Sequence, residues 1–322
     1  MAQVLVTGAA GFIGLAVTRA LAARGDRVSA FDVAVSGPLA RLAEESPAVR
    51  AIAGEITEWP QLASVFLSDR PDAVIHCAAI VGVLNATRAP RAALRVNVEG
   101  MLTLLDAMRL TGVRRMVHVS SEETYGAFLG PSIAEGHPQS PTNAYGISKL
   151  AAEHLGRAYR AQYGVETIHM RTSWVYGPGL PRARVPRTFV DAALAGSAYH
   201  LPSGAEFAVD HTYLDDVVDG LLRALDLPEH PFDAYNLASG AAPRLDEIAA
   251  IVRELVPGAR ISVGPGPYDH GSVDGIAVPC PPKGALDISR ARSVLGYAPR
   301  FDIQGGLADT MAKEKALADR AP

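Results

Sequence analysis

The sequence predicts an α/β fold, in which a doubly wound parallel sheet is joined to a smaller C-terminal α/β lobe. In the first half of the chain, short apolar segments alternate with longer amphipathic segments. Strands and helices that alternate in this way build a parallel sheet with helices on both faces. After about Thr172 the alternation becomes irregular and Pro and Gly become frequent, which indicates a lobe of different architecture.

Each element follows from its hydrophobic period. Short apolar runs predict strands at Val4–Val6, Val28–Phe31, Ala51–Ala53, Ala73–Cys77, Met116–Val119 and Glu166–Met170. Helical periodicity predicts helices at Ile13–Arg24, Gln61–Leu67, Pro90–Leu110 and Asn143–Tyr163, and in the second half at Asp215–Leu227, Leu245–Val256 and Gly305–Ala318. Segments rich in Pro and Gly are expected to be loops at Pro178–Pro186, Pro202–Gly204 and Gly264–Pro282.

The composition is that of an ordinary globular protein. The chain has 322 residues, of which 48% are apolar and 20% charged, and a formal net charge of −4. This charge gives no reason to expect nucleic acid or an anionic membrane as a partner. Two distant cysteines, no N-terminal basic segment and no apolar run long enough to span a bilayer predict a soluble, cytoplasmic protein.

A glycine-rich turn separates the first predicted strand from the first predicted helix. Glycines three residues apart let a pyrophosphate approach the backbone, and the helix N-terminus adds free amide donors. The second strand ends in Asp32, where a carboxylate hydrogen-bonds the adenosine ribose and repels a 2′-phosphate, unless it only ends the strand. We therefore expect NAD as the cofactor, bound by Gly8, Gly11, Phe12, Ile13, Gly14 and Asp32.

The cofactor motif assigns a task to each part of the chain. Residues 1–171 are predicted to form a Rossmann-type NAD-binding domain, to which residues 205–228 return. Most of residues 172–322 is expected to form a substrate-binding lobe over the carboxyl edge of the sheet.

Tyr145 and Lys149 are the candidate acid/base pair. They are four residues apart in a predicted helix, so both side chains lie on one face and reach the same cleft. A lysine charge beside a tyrosine is expected to lower the pKa of the phenol. Such a pair is suited to taking a proton from an alcohol.

Several motifs occur together in one order and spacing. They are Thr7–Gly14, His76–Ala79, Asn97–Gly100, Val119–Gly126, the Tyr145/Lys149 pair and Tyr176–Gly179. Taken together they resemble the extended short-chain dehydrogenase/reductase family, in its NAD-dependent epimerase/dehydratase branch. The resemblance covers nearly the whole chain and is much more specific than any of its motifs alone.

This resemblance implies roles for individual residues. Tyr145 exchanges a proton with a substrate hydroxyl or carbonyl, Lys149 holds the nicotinamide ribose, and Ser121 hydrogen-bonds the reacting oxygen. Further cofactor contacts are expected from Ala78, Ala79, Asn97 and Ser120. The resemblance also implies a homodimer, which pairs the helices Pro90–Leu110 and Asn143–Tyr163 of two copies.

In nucleotide-sugar 4,6-dehydratases, the two positions that correspond to Glu122 and Glu123 look like an Asp-Glu pair. Glutamates here are candidates to protonate a leaving hydroxyl or to take a proton next to a ketone. The alternative is that they hydrogen-bond substrate hydroxyls or face solvent.

The substrate contacts of nucleotide-sugar enzymes are only partly present. Trp174 stands where these enzymes usually have an asparagine, and Val209 where they usually have an arginine. Trp174 either stacks on a sugar or base, or belongs to the core. The basic loop either holds a phosphate or carboxylate or is simply solvated; its candidate residues are Arg182, Arg184 and Arg187. No metal site is expected, because the histidines are not grouped at ligand spacing.

The combined expectation is an NAD-dependent enzyme that oxidises a secondary alcohol of a carbohydrate-like small molecule. A sugar or nucleotide-sugar epimerase is the first hypothesis. The alternatives are a net dehydrogenase of a sugar, sugar acid or small hydroxy acid, a 4,6-dehydratase, and a non-catalytic NAD-binding protein.

Overall fold

Fifteen strands and twelve helices are found in residues 1–318, which are the residues that the structure, a computed structural model, describes. The strands are β1 Gln3–Thr7, β2 Arg27–Asp32, β3 Val49–Ala53, β4 Ala73–His76, β5 Arg115–Ser121, β6 Ser132–Ile133, β7 Glu166–Thr172, β8 Trp174–Tyr176, β9 Ala198–Leu201, β10 His211–Tyr213, β11 Ala234–Leu237, β12 Arg260–Val263, β13 Asp269–Val273, β14 Ile276–Pro279 and β15 Ala285–Leu286. The helices are α1 Phe12–Ala23, α2 Gly37–Glu45, α3 Trp59–Asp69, α4 Val83–Arg88, α5 Pro90–Leu94, α6 Gly100–Thr111, α7 Ala144–Tyr163, α8 Arg187–Leu194, α9 Leu214–Asp226, α10 Leu245–Leu255, α11 Ser289–Leu295 and α12 Ile303–Ala318.

Seven parallel strands form the central sheet, in the order β11-β7-β5-β4-β1-β2-β3. The six predicted strands all belong to it, and β11 is a seventh that the sequence pattern did not reveal. Strand order reverses between β1 and β4, because Val4 pairs with Val28 on one side and with Ala73 on the other. In open α/β sheets ligands bind at such a switch point, outside the carboxyl ends of the strands.

Helices cover both faces of this sheet. One face packs against α1, α2, α9 and α11, and the other against α3, α6 and α7. The predicted α/β class, with a doubly wound parallel sheet, is therefore confirmed. The segment 205–228 contains α9, which lies against α1. The division of the chain at residue 171 stays a prediction.

A second core lies in the C-terminal part of the chain. It is formed by α8, α10 and α12 with the pair β9 and β12, and includes the buried side chains of Phe189, Leu245, Ile248 and Leu307. This core supports the basic loop that precedes α8, which reaches the carboxyl edge of the main sheet.

The segment 264–282, expected to be a loop, contains a β-hairpin. Strands β13 and β14 pair antiparallel around Asp274 and Gly275, whose φ angles are 53° and 78°. Positive φ at both central residues is typical of the two-residue turns that match strand twist, for which Asp-Gly is a preferred sequence. The Asp-Gly dipeptide is thus the sequence signal of this hairpin. The surrounding Pro and Gly residues had instead favoured a loop.

The predicted helix Pro90–Leu110 is interrupted. A π-helical turn at Arg95–Glu99 separates α5 from α6. Such turns insert one extra residue into a helix and are frequent at functional sites. Here the turn buries Asn97 beside the loop that follows β4.

No helix within residues 1–318 combines the length and the apolar character needed to cross a membrane.

Candidate active site

A cavity of about 1060 Å³ opens at the carboxyl ends of the central strands. Three groups of predicted site residues line it. The glycine patch comprises Gly8, Gly11, Gly14 and Asp32, the tyrosine patch comprises Ser121, Tyr145 and Lys149, and the arginine patch comprises Trp174, Arg182 and Arg184. The chain therefore brings together residues that lie up to 176 positions apart, from Gly8 to Arg184.

The glycines of the glycine patch form a backbone cradle that has no room for a side chain at Gly8 or Gly14. Gly8 has a φ of +69°, and a Cβ on it would lie 2.6 Å from the Ala78 nitrogen. A Cβ on Gly14 would lie 2.0 Å from the Gly8 carbonyl oxygen. Gly11 caps α1 without any side-chain hydrogen bond to the first helical amides. These amides are free to bind an anion, so the patch fits the pyrophosphate of a dinucleotide.

Asp32 ends β2 beside this cradle. Its carboxylate accepts hydrogen bonds from the amides of Ala10 (2.9 Å) and Ala34 (3.2 Å), so it also fixes the glycine turn. Other predicted cofactor contacts also line the cavity, namely Phe12, Ile13, Ala78 and Ala79. The carboxylate beside the cradle fits the ribose of NAD and opposes a 2′-phosphate.

Tyr145 lies in the first turn of α7, and Asn143 fixes that turn. The Asn143 side chain accepts a hydrogen bond from the Gly146 amide (2.9 Å), which is the usual action of an N-cap. A Cβ on Gly146 would lie 2.4 Å from the Glu123 carbonyl oxygen, so glycine permits α7 to begin against the end of β5. This contact holds Tyr145 next to Ser121.

Lys149 follows one turn later and is nearly fully buried. Its ammonium donates a hydrogen bond to the Val119 carbonyl oxygen at 2.8 Å. Burial lowers the pKa of Lys149 to about 8. The bond to Val119 directs the ammonium toward the end of β5, where both it and Ser121 reach the cavity.

The pKa of Tyr145 is raised, mainly because the phenol is buried. The largest opposing influence is the charge of Arg182, followed by hydrogen bonding to Ser121. The expectation that Lys149 lowers this pKa below its ordinary value was wrong in direction, because burial outweighs the neighbouring charges. Arg182 is thus an electrostatic partner of Tyr145 that helix spacing did not reveal.

Ser120 does not line the cavity, and its expected contact with the cofactor stays a prediction. Its hydroxyl donates to Glu153 at 2.7 Å. Glu153 also accepts two bonds from the buried guanidinium of Arg171, at 2.9 and 2.7 Å. Successive residues of a strand point to opposite sides, so Ser121 and Ser120 cannot both face the cavity.

Asn97 is also absent from the cavity wall. Its side chain accepts from the Ile80 amide (2.8 Å) and donates to the Ile80 carbonyl oxygen (3.1 Å) and the Ser148 hydroxyl (2.9 Å). These bonds use the amide group, and the expected contact of Asn97 with the cofactor stays a prediction. It positions the loop that carries Ala78 and Ala79.

Glu122 and Glu123 have opposite electrostatic environments. Burial raises the pKa of Glu122 to about 7, and one of its oxygens has no hydrogen-bond partner among the described residues. Burial also acts on Glu123, but Lys283 and Asn143 hold the pKa of this carboxyl below its usual value. Lys283 forms an ion pair with Glu123 at 3.2 Å. The environment thus favours one neutral and one ionised carboxyl, a division typical of acid/base pairs.

The arginine patch surrounds Trp174. The Arg184 guanidinium lies 4.7 Å from the centre of the indole ring. Trp174 is only 4% exposed and lines the cavity, and its stacking on a sugar or base stays a prediction. Arg182 reaches the same cavity from the same loop.

Arg187 is not part of this patch. It forms ion pairs with Asp191 (2.6 Å) and Glu314 (2.8 Å) at the start of α8 and does not line the cavity. The structure therefore separates it from the other two arginines, and the expected substrate contact is not supported. Val209 is fully buried and does not line the cavity. The position at which nucleotide-sugar enzymes usually have an arginine therefore offers no cation to a substrate.

Three buried histidines lie side by side on the sheet. His118 and His169 approach at 3.1 Å between their Nδ1 atoms, and His76 stacks on His118. In residues 1–318, no group of three or more His, Cys, Asp or Glu side chains is arranged to hold a metal ion.

Comparison with known proteins identifies the family of this chain. The model of the NAD dependent epimerase/dehydratase family matches residues 4–238, which include the glycine patch and the tyrosine patch. The chain belongs to this family. The predicted family, the NAD-dependent enzyme class and the cofactor type are thereby confirmed, whereas the roles of individual residues stay predictions.

Relatives with two different reactions are similar to this chain over nearly its full length. A UDP-glucose 4-epimerase of Mycolicibacterium smegmatis is 31% identical over 96% of this chain and 97% of its own. A dTDP-glucose 4,6-dehydratase of Actinoplanes sp. is 30% identical over 98% of both chains. A structure of UDP-glucose 4-epimerase from Thermotoga maritima with UDP-glucose has a TM-score of 0.86 at 26% identity, and the match covers 98% of this chain and 99% of that one.

Proposed function

We propose that this protein is an NAD-dependent epimerase that inverts a hydroxyl-bearing carbon of a nucleotide-linked sugar. The observation that carries the proposal is that the glycine patch and the tyrosine patch line one continuous cavity. Its volume of about 1060 Å³ is at the upper end of ordinary ligand pockets, in keeping with a cofactor and a substrate bound together. The similarity to nucleotide-sugar epimerases supports this substrate class.

The glycine patch would hold the pyrophosphate of NAD, Asp32 the adenosine ribose and Lys149 the nicotinamide ribose. Bound NAD supplies the acceptor, and then the donor, of the hydride at the reacting carbon. Tyr145 accepts the proton of the substrate hydroxyl and later returns a proton to the same oxygen. Ser121 hydrogen-bonds that oxygen, and the positive charge of Arg182 favours the phenolate form that Tyr145 needs as a base.

An assay with nucleotide sugars separates this proposal from its alternatives. The wild-type protein with NAD is incubated with UDP-glucose and UDP-galactose, and both products and NADH absorbance are followed. The C4 epimer should form with no net NADH. NADH that accumulates in step with product would instead identify a net dehydrogenase, and no turnover of any sugar would leave a non-catalytic NAD-binding protein.

A 4,6-dehydratase is the second candidate, favoured by the pair of glutamates. Burial raises the pKa of Glu122 to about 7, so part of this carboxyl is protonated at neutral pH, whereas Lys283 holds Glu123 ionised; an elimination of water requires such an acid and base. Mass spectrometry of the reaction with dTDP-glucose distinguishes the two reactions. Epimerisation leaves the mass of the sugar unchanged, whereas dehydration lowers it by one water.

We also propose a homodimer formed through α5, α6 and α7. Large apolar side chains are exposed on these helices, among them Leu94, Leu102, Leu110 and Ile147. Burying them against a second copy would remove apolar surface from water. Sedimentation velocity at micromolar protein should give a dimer, and a monomer would refute the pairing. A charged substitution, Leu102→Glu, should shift the equilibrium toward monomer.

We further infer a cytoplasmic location, supported by the absence of a disulfide between Cys77 and Cys280. Cell fractionation should recover the protein in the cytoplasmic fraction. Recovery with membranes or in the medium would contradict this inference.

A further inference from the structure

 Arg182 and Arg184 are two partly buried cations of the cavity wall without a carboxylate partner within residues 1–318. Fourteen other Lys and Arg side chains form ion pairs within residues 1–318, among them Arg171 and Lys283, whose side chains are only 2% and 0% exposed. Arg182 and Arg184 are absent from these pairs, although both line the cavity. Cations that are partly removed from water and have no ion-pair partner are costly, which points to a ligand that pairs with them.

Arg184 is held by neutral contacts only. Its guanidinium lies 4.7 Å from the centre of the Trp174 ring and donates a long bond of 3.5 Å to the Val175 carbonyl oxygen. Its Nε is buried and has no hydrogen-bond partner within residues 1–318. Burial, and then the charge of Arg182, lower the pKa of Arg184 to about 10. Glu122 also acts on this charge from across the cavity but forms no ion pair with Arg184, so the buried Nε lacks an acceptor.

Arg182 extends the same site toward the reacting oxygen. Its Nη1 lies 2.6 Å from the position that a Cβ on Gly82 would take, so the glycine leaves space for the guanidinium in the loop after β4. Burial lowers the pKa of Arg182, and Tyr145 is the group that opposes this effect. Tyr145 packs with Ile80 and Ala86, on either side of Gly82, so Arg182 lies on the acid/base side of the cavity.

We propose that the sugar is an acid, and that Arg182 and Arg184 bind its carboxylate close to the carbon on which Tyr145 acts. The proposal rests on the function proposed above. A carboxylate accepts from a guanidinium in a bidentate manner and would satisfy the free Nε of Arg184. A diphosphate is separated from the reacting carbon by the sugar ring, so it fits less well beside Tyr145.

Two substrates that differ only at C6 test this proposal. UDP-glucuronate carries a carboxylate there and UDP-glucose a hydroxymethyl group. Their binding is measured by calorimetry on the NAD-loaded Tyr145→Phe variant, and their kcat/KM on the wild-type enzyme. UDP-glucuronate should be preferred at least about tenfold in both measurements, as expected for a hydrogen-bonded charge pair.

Arg182→Gln should remove this preference, because it should lower the affinity and the kcat/KM for UDP-glucuronate alone. Arg184→Gln provides a second variant if the first does not fold. Arg27→Gln, an exposed arginine at the start of β2, is the matched control and should keep the preference. An equal loss of affinity and kcat/KM for both substrates would show that the arginines hold the diphosphate, which overturns the proposal.

The outcomes also separate this proposal from the function on which it rests. Turnover of UDP-glucose with no preference for UDP-glucuronate would overturn the acidic substrate and leave the epimerase intact. If neither nucleotide sugar is bound or converted, both the epimerase and the acidic substrate are overturned.

Discussion

Replacing Lys283 by methionine should make the stability of this protein depend on pH in a new way. Lys283 has no exposed side-chain surface and forms an ion pair with Glu123, which is 6% exposed, at 3.2 Å. Its ammonium also donates to the Gly126 carbonyl oxygen at 3.3 Å. Methionine retains the length of the side chain but leaves Glu123 as a buried carboxylate without a cation.

The size of the effect follows from this geometry. At 3.2 Å and an effective dielectric constant of about 20, the attraction between the two charges is about 5 kcal/mol. Removing one partner of a buried pair costs about 3–5 kcal/mol, because the other charge remains uncompensated. Glu123 avoids part of this cost by binding a proton, which raises its folded-state pKa above that of the unfolded chain.

The sign of the pH dependence can then be stated. In the wild-type protein the pKa of Glu123 is lowered, so above its ordinary pKa this group is ionised in both the folded and the unfolded state. It therefore adds no pH dependence to the free energy of unfolding there. In Lys283→Met the folded state retains a proton that the unfolded state has lost. Stability should therefore rise as the pH falls from 8 to 6, by up to about 1.4 kcal/mol per unit.

Urea unfolding at pH 6 and pH 8, followed by circular dichroism, measures this dependence. The double variant Glu123→Gln/Lys283→Met is the control, and it should recover most of the loss at pH 8. An equal loss at both pH values, or no recovery in the double variant, would refute the role given to this ion pair.

Three further substitutions test other parts of the account. Glu122→Gln should stabilise the protein by up to about 3 kcal/mol above pH 7 and have little effect near pH 4.5, since burial raises this pKa from 4.5 to about 7; urea unfolding across that range checks it. Gly14→Ala should abolish NAD binding in calorimetry, because its Cβ would lie 2.0 Å from a backbone oxygen, whereas Gly136→Ala, with nothing within 4 Å, should bind NAD normally. Glu153→Gln should cost about 3–5 kcal/mol in urea unfolding, because Arg171, only 2% exposed, loses its carboxylate; a change below about 1 kcal/mol would contradict this.

Local patterns in the sequence were sufficient for the sheet and for the cofactor cradle. Glycine spacing between a strand and a helix depends only on neighbouring residues, so Gly8 and Gly14 could be placed without the structure. The same holds for Tyr145 and Lys149, which share a helix face. Strand β11 was missed because it is a four-residue segment within a part of the chain that lacked regular alternation.

Contacts between distant parts of the chain could not be predicted in this way. Lys283 pairs with Glu123 across 160 positions, and no local pattern joins them. The proximity of Arg182 to Tyr145 depends on the course of a Pro-rich loop. Ser120 is different, because strand alternation alone could have shown that it faces away from Ser121.

The central claim is that Tyr145 is the acid/base of an epimerisation. The most direct test is the rate of C4 epimer formation by wild-type protein and by Tyr145→Phe, followed by NMR on samples with the same measured NAD content. The account predicts a rate about 10²–10⁴ times lower for the variant, with NAD binding unchanged. Equal rates in the two proteins would contradict it.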